Sequence, residues 1–202
     1  MSTTRLLVLG VVSGFGTAHG YRVHHELVSW GADEWANVKW GSIYHALRQL
    51  AKEGALEVVP ARDTSGRVDY RLTPVGEETF LELLRAALSD AGAHADLFAA
   101  GLAFLTALPR AEVIALLERR RTTLEQERAA IVPYLGTFDD WTEPGTEHVP
   151  ELFDLWHHNA DSSARWTAGL IERLRAGAYT MADDLPGRAP WMRGDDADAP
   201  AR

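Results

Sequence analysis

One stretch constrains this chain more than any other: Gly41 to Gly54, GSIYHALRQLAKEG. Ile43, Ala46, Leu47 and Leu50 recur at three- and four-residue steps, so they fall on one stripe of an α-helix, and that stripe must be buried. With successive residues turned by about 100°, His45, Arg48, Gln49 and Lys52 lie on the opposite side, Ser42 in the first turn and Tyr44 at the border. These side chains can hydrogen-bond, stack and neutralise phosphate, which is what a recognition helix needs in a DNA major groove. Gly54 ends the helix, since glycine takes a left-handed cap without steric cost.

The flanking segments fit the same scheme. Beyond Gly54, Leu56 and Val58 alternate with Glu57 and Val59, and Val68, Tyr70 and Leu72 alternate with Asp69 and Arg71, which predicts two strands. The intervening Arg62-Asp63-Thr64-Ser65-Gly66-Arg67 is rich in turn formers and closes a hairpin. Upstream, His19, Gly20 and Tyr21 open a helix with Val23, Leu27 and Val28 inward and His24, His25 and Glu26 outward. A turn-like stretch carrying Trp30, Trp35 and Trp40 then leads to the Gly41 helix. Two helices joined by a turn and followed by a hairpin make a winged helix-turn-helix. In that fold Arg62 and Arg67 flank the wing tip beside the duplex backbone, and Lys39 lies within reach of phosphate. Plainer readings stand beside these: a solvated face for His45, Arg48, Gln49 and Lys52, packing for Tyr44, and salt pairs with Asp63 or Asp69 for the wing arginines.

The remainder is helical by pattern. Arg5 to Gly14 is apolar nearly all round, so a helix there is a core or dimer helix. Thr73-Pro74 starts another, with Thr as N-cap and Pro at the first helical position. Helices are predicted over 75–91, 94–108, 109–135 and 151–176, with a proline-bearing acidic loop at 136–150. The fold class is thus mainly α with a small β-hairpin wing. A winged helix-turn-helix domain occupies 1–80, a helical dimerisation and effector domain 81–180, and a disordered Asp-, Pro- and Gly-rich tail 181–202.

In the helix over 109–135, Leu117, Leu124 and Ile131 stand seven apart, but Arg121 and Arg128 share the seam. That is a poor free zipper and predicts an antiparallel hairpin with the last helix. The last helix carries the stripe Leu152, Trp156, Asn159, Ser163, Trp166, Leu170 and Leu174, whose large aromatics suggest a partner. A homodimer through the C-terminal helices is predicted, with the first helix as a further contributor. Asn159 and Ser163, between Trp156 and Trp166, either line a pocket for a small aromatic or hydrophobic effector or hydrogen-bond across the interface and fix its register. Asp154, His157, His158 and Asp161 share an arc that a metal could use, against a solvated face joined by Arg165 and Glu172. No metal or cofactor is assigned.

Charge narrows the function. The net charge is −9, yet residues 1–71 carry eight Lys/Arg against seven Asp/Glu, so the acidity belongs to the second part of the chain. Broad attraction to nucleic acid is excluded, and affinity must rest on a few placed cations. Without cysteine there is no disulfide framework or thiolate metal site, which favours a cytoplasmic setting. No apolar run reaches the roughly 20 residues that span a bilayer. The N-terminal MSTTRLLVLGVV imitates a signal peptide but is better read as a buried helix. With no phosphate-cradling glycine motif, cysteine nucleophile or serine elbow, no catalytic reading survives.

Three pieces in this order resemble the PadR family of bacterial transcriptional regulators: LLVLGVV followed by His19-Gly20-Tyr21, then GSIYHALRQLAKEG, then YRLTPVGEE at Tyr70 to Glu78. The resemblance covers about the first eighty residues. It implies a winged helix, a helical C-terminal dimerisation domain and repression relieved by a small molecule. It also implies that Tyr21, Ser42, Tyr44 and their neighbours lie at the DNA. His45 stands where proline is common in the family, and the wing is lightly charged. The resulting expectation is a homodimeric repressor binding operator double-stranded DNA, with no membrane association. Two alternatives from other classes are a winged-helix protein-interaction scaffold without DNA binding and a metal-responsive regulator.

Overall fold

A computed structural model of the protein describes residues 2–60, 68–92, 94–135 and 145–184. These divide into two compact units, one of residues 2–88, 94–110 and 180–184 and the other of 89–92 and 111–179.

The first unit is organised on α1 (Thr3–Phe15). Leu6, Leu7, Val8, Leu9, Val11 and Val12 are at most 3% exposed, because α1 packs against α2 (Gly20–Ser29), α4 (Trp40–Lys52), α6 (Ala95–Ala103) and β3 (Val68–Leu72). The helix is therefore a core element. Its apolar surface over residues 6–12 is covered by its own unit. Phe104 closes this core, 1% exposed, edge-on to Trp30 at 5.7 Å and to Phe80 at 5.6 Å.

The predicted hairpin is β2 (Leu56–Pro60) and β3, paired Leu56 with Leu72 and Pro60 with Val68. A third strand, β1 (Ala18–His19), adds antiparallel to the other edge of β3, giving the order β1-β3-β2. Two residues carry no periodicity, so nothing local announces β1. The wing residues 61–67, Arg62 and Arg67 among them, lie outside the described residues.

A single turn, α3 (Ala32–Trp35), joins α2 to α4, completing the helix-turn-helix. After β3 the chain enters α5 (Pro74–Ser89) as its capping residues predict. The Thr73 hydroxyl accepts the Gly76 amide at 3.1 Å and donates to the Gly54 carbonyl at 2.6 Å, tying the helix start to the end of α4. Gly76 is required here: a β-carbon would fall 1.9 Å from the Ala55 carbonyl oxygen. Residue 80 lies inside α5, where Phe80, Leu84 and Leu88 are buried, so the helix runs through the boundary drawn there from the sequence. Of the tail expected from 181 onward, Met181 is buried and Asp184 pairs with Arg110 at 2.8 Å, so these residues are ordered in the first unit. Residues 185–202 lie outside the described residues.

In the second unit, α7 (Arg110–Ile131) and α8 (Val149–Arg175) run antiparallel. Arg175 pairs with Glu118 and Arg128 with Asp161, both at 2.7 Å, so α8 runs back as α7 advances. α7 buries Val113, Leu116, Leu117 and Leu124, and α8 buries Ala160, Ala164, Thr167, Leu170, Ile171 and Leu174. Arg120 is 6% exposed and donates to the Asp90 carbonyl. Burial pulls its guanidinium pKa below the ordinary value, against the opposing fields of Asp90 and Glu127.

Candidate nucleic-acid interface

The interface is built on α4. Lys39, extended at φ −99° and ψ 155°, is its N-cap, and Ser42 reaches back to it. The Ser42 hydroxyl accepts the Lys39 amide at 3.0 Å and donates to the Lys39 carbonyl at 2.7 Å, half of a capping box. Gly54 follows at φ +79°, the left-handed position expected of it. Ile43, Leu47 and Leu50 are at most 1% exposed, and each stabilises the seating of α4 by about 1.5–3 kcal/mol. That burial fixes the rotation of the helix. Gly41, His45, Arg48 and Lys52 are accordingly exposed on the far side, with Lys39 just ahead, while Ser42, Tyr44 and Gln49 are half-buried at its edges.

Charge on this face is freed by pairing elsewhere. Arg5 donates twice to Glu53, at 2.9 and 2.6 Å, and Arg71 pairs with Glu57 at 2.7 Å. Arg22 lies 4.0 Å over the Phe15 ring. Hydrogen bonding from Arg5 holds the Glu53 carboxyl below the usual carboxylate range, and Glu53 raises Arg5 in turn. Lys39, Arg48 and Lys52 form no ion pair with another described residue.

On one flank, α4 meets the His19-Gly20-Tyr21 segment, and the contact explains that segment. His19 caps α2, its Nδ1 accepting the Arg22 amide at 3.1 Å. Gly20 leaves room for Tyr44, since a β-carbon there would lie 2.7 Å from two ring carbons and 3.0 Å from the hydroxyl. Tyr21 is 59% exposed. Trp40, the first residue of α4, joins these parts: its ring lies 5.0 Å from Tyr44, 6.1 Å from Tyr21 and 4.4 Å from His24. Sequence reasoning placed Trp40 in the turn and His24 and His25 on a solvated face. His25 is exposed as expected, 6.3 Å from the Tyr21 ring, while His24 is half-buried against Trp40. On the other flank Ser42, His45 and Gln49 share an open groove of about 370 Å³ with Ser2, Thr4, Arg5 and Glu53.

On α8 the sequence stripe divides: Leu170 and Leu174 are buried in the chain's own core, whereas Leu152, Trp156 and Trp166 are exposed. Trp156 is 50% and Trp166 47% exposed, Asn159 is exposed and Ser163 half-buried. The chain instead buries the small residues Ala160, Ala164 and Thr167, about one helical step round. The two tryptophans stand ten residues apart, about 15 Å along the axis, further than one small ring spans. On the acidic arc, Asp161 accepts from Arg128 at 2.7 Å and Arg165 at 2.6 Å, which holds its carboxyl below the usual range. No group of three His or acidic residues placed to hold a metal ion occurs among the described residues. No helix there is long and apolar enough to cross a membrane.

No family model matches the chain, and no curated protein does. Solved structures do. A PadR-like transcriptional regulator from Bacillus cereus is 18% identical, with 86% of this chain and 99% of that chain covered and a TM-score of 0.34. Bacillus subtilis PadR in complex with operator DNA is 14% identical over 84% of this chain and 98% of that one, with a TM-score of 0.36. The same protein in complex with p-coumaric acid is 16% identical over 86% and 99%, with a TM-score of 0.37. The chain is similar to PadR-like transcriptional regulators.

Proposed function

We propose that this chain is a cytoplasmic, sequence-specific DNA-binding transcriptional regulator. The observation that carries the reading is the outward line of His45, Arg48 and Lys52 on a helix whose other side is locked into a winged-helix core. In a major groove, Arg48 reads a base edge or phosphate, Lys39 and Lys52 neutralise phosphate, and Tyr21 and Tyr44 offer hydroxyls. Ser42 spends its donor on the helix cap, so it contributes as an acceptor.

The active form is a homodimer joined through α8, where Leu152, Leu155, Trp156 and Trp166 expose an apolar stripe of the kind that partners cover. A two-fold partner places two copies of α4 one helical turn, or a multiple of it, apart on a pseudo-palindromic operator. Repression released by a small aromatic effector follows if that effector fits one dimer geometry better than the other. Asn159 and Ser163, beside Trp156 or Trp166, supply its polar contacts, each pocket being completed by the partner.

The test selects a duplex from a randomised pool with the full chain and measures its affinity for Arg48→Ala. A loss of about 1–3 kcal/mol is expected if Arg48 reads a base. Unchanged affinity refutes that assignment, and the absence of any selected sequence or salt dependence favours the scaffold alternative.

A further inference from the structure

Three glycines of this unit differ in what demands them. At positions 20 and 76 a β-carbon would strike Tyr44 or the Ala55 carbonyl, so the fold itself excludes a side chain. Gly41 is another case. It lies in the first turn of α4, its φ is not among the positive values, and among the described residues, its chain neighbours and the helix's own backbone aside, a β-carbon there would meet nothing within 4 Å. Glycine weakens a helix relative to alanine, and no internal contact or turn here compensates for it.

Its position is informative. Residues 41, 45, 48 and 52 follow one another at steps of four, three and four, so they share a single line on the exposed side of α4. His45, Arg48 and Lys52 extend long polar groups from that line, whereas Gly41 leaves bare backbone. Beside the gap stands the Trp40 ring, 45% exposed and braced by Tyr44 and His24. Backbone is therefore open at the start of this line, with cations further along it.

We propose that Gly41 is the point of closest approach between α4 and duplex DNA, where the edge of a base pair fills the space a β-carbon would occupy. The proposal rests on the DNA-binding reading above and adds which residue sets the depth of the helix in the groove. Lys and Arg contacts tolerate movement because their stems are flexible. A backbone contact does not, so Gly41 fixes the register that Arg48 then reads.

The experiment uses the full chain and a duplex selected by it from a randomised pool. Gly41→Ala and Gly41→Ser are compared with Arg48→Ala in affinity and melting temperature. Gly41→Ala should melt at the same or a higher temperature, since alanine suits the helix better. Its affinity should fall about ten- to hundredfold, the scale of an overpacking cost read as binding, with Ser at least as damaging. If Arg48→Ala loses affinity while both Gly41 variants bind within about twofold of the parent, the close approach is wrong and the DNA-binding reading stands. If no duplex is selected, that reading falls and the inference with it.

Discussion

The seating of Tyr44 against Gly20 joins α4 to the start of α2, and it can be tested without DNA. In Gly20→Ala the new methyl would lie 2.7 Å from two Tyr44 ring carbons, and the ring is backed by Trp40 at 5.0 Å. Overpacking of this kind costs about 1–3 kcal/mol, while replacing glycine in a helix returns up to about 1, leaving a net loss near 1–2 kcal/mol. Tyr44→Ala alone removes a half-buried ring, at about 2 kcal/mol, roughly half the cost of a fully buried aromatic. In the double variant the methyl has nothing to strike, so it should be more stable than the sum of the single changes by about 1–3 kcal/mol. Because the chain has two units, hydrogen exchange of α4 amides is the appropriate readout, as it reports that element alone. Single effects that add within about 0.5 kcal/mol would refute the contact.

Gly76→Ala would put a β-carbon 1.9 Å from a backbone oxygen, so the α4–α5 junction must shift and thermal stability should drop by more than about 3 kcal/mol; a loss under about 1 would contradict the junction. Lys39, Arg48 and Lys52 carry no ion pair with another described residue, so replacing any one should lower the salt slope of DNA binding by about one per head, read from a titration series. Replacing Arg71, already paired with Glu57, should lower it less. The Glu53 carboxyl is held low by Arg5, so its contribution is present above the ordinary carboxylate pKa and disappears as pH falls through the lowered one. Glu53→Gln should flatten that acid limb in a stability–pH profile, slightly, since both partners are exposed; an unchanged limb would contradict the pair.

What could be read in the sequence was what is encoded locally. The α4 stripe, the Gly54 cap and the Thr73-Pro74 start each depend on residues within one or two turns, and each stands where periodicity and capping put it. The α7–α8 hairpin was legible because a seam half made of arginine is a poor free zipper; of its two arginines, Arg128 meets Asp161 of α8 and Arg121 pairs with Glu118 of its own helix. Long-range features were not. β1 exists only because β3 offers Ala18 and His19 an edge, and the role of Gly20 appears only when Tyr44 arrives from another helix. On α8 the sequence pointed to the large apolar residues, whereas close packing within the chain selected Ala160 and Ala164 and left Trp156 and Trp166 outside. Size marks hydrophobic surface, but it does not say which neighbour covers it.

The central claim is that the line through His45, Arg48 and Lys52 meets a duplex. The most direct measurement places a photo-crosslinking residue at His45, exposed on that line, and another at Ala115, exposed on α7. Capture of a selected duplex at 45, suppressed by excess unlabelled duplex of the same sequence and not of a scrambled one, with none at 115, is the predicted result. Capture at 115 alone, or at neither while the duplex remains bound, would contradict the account.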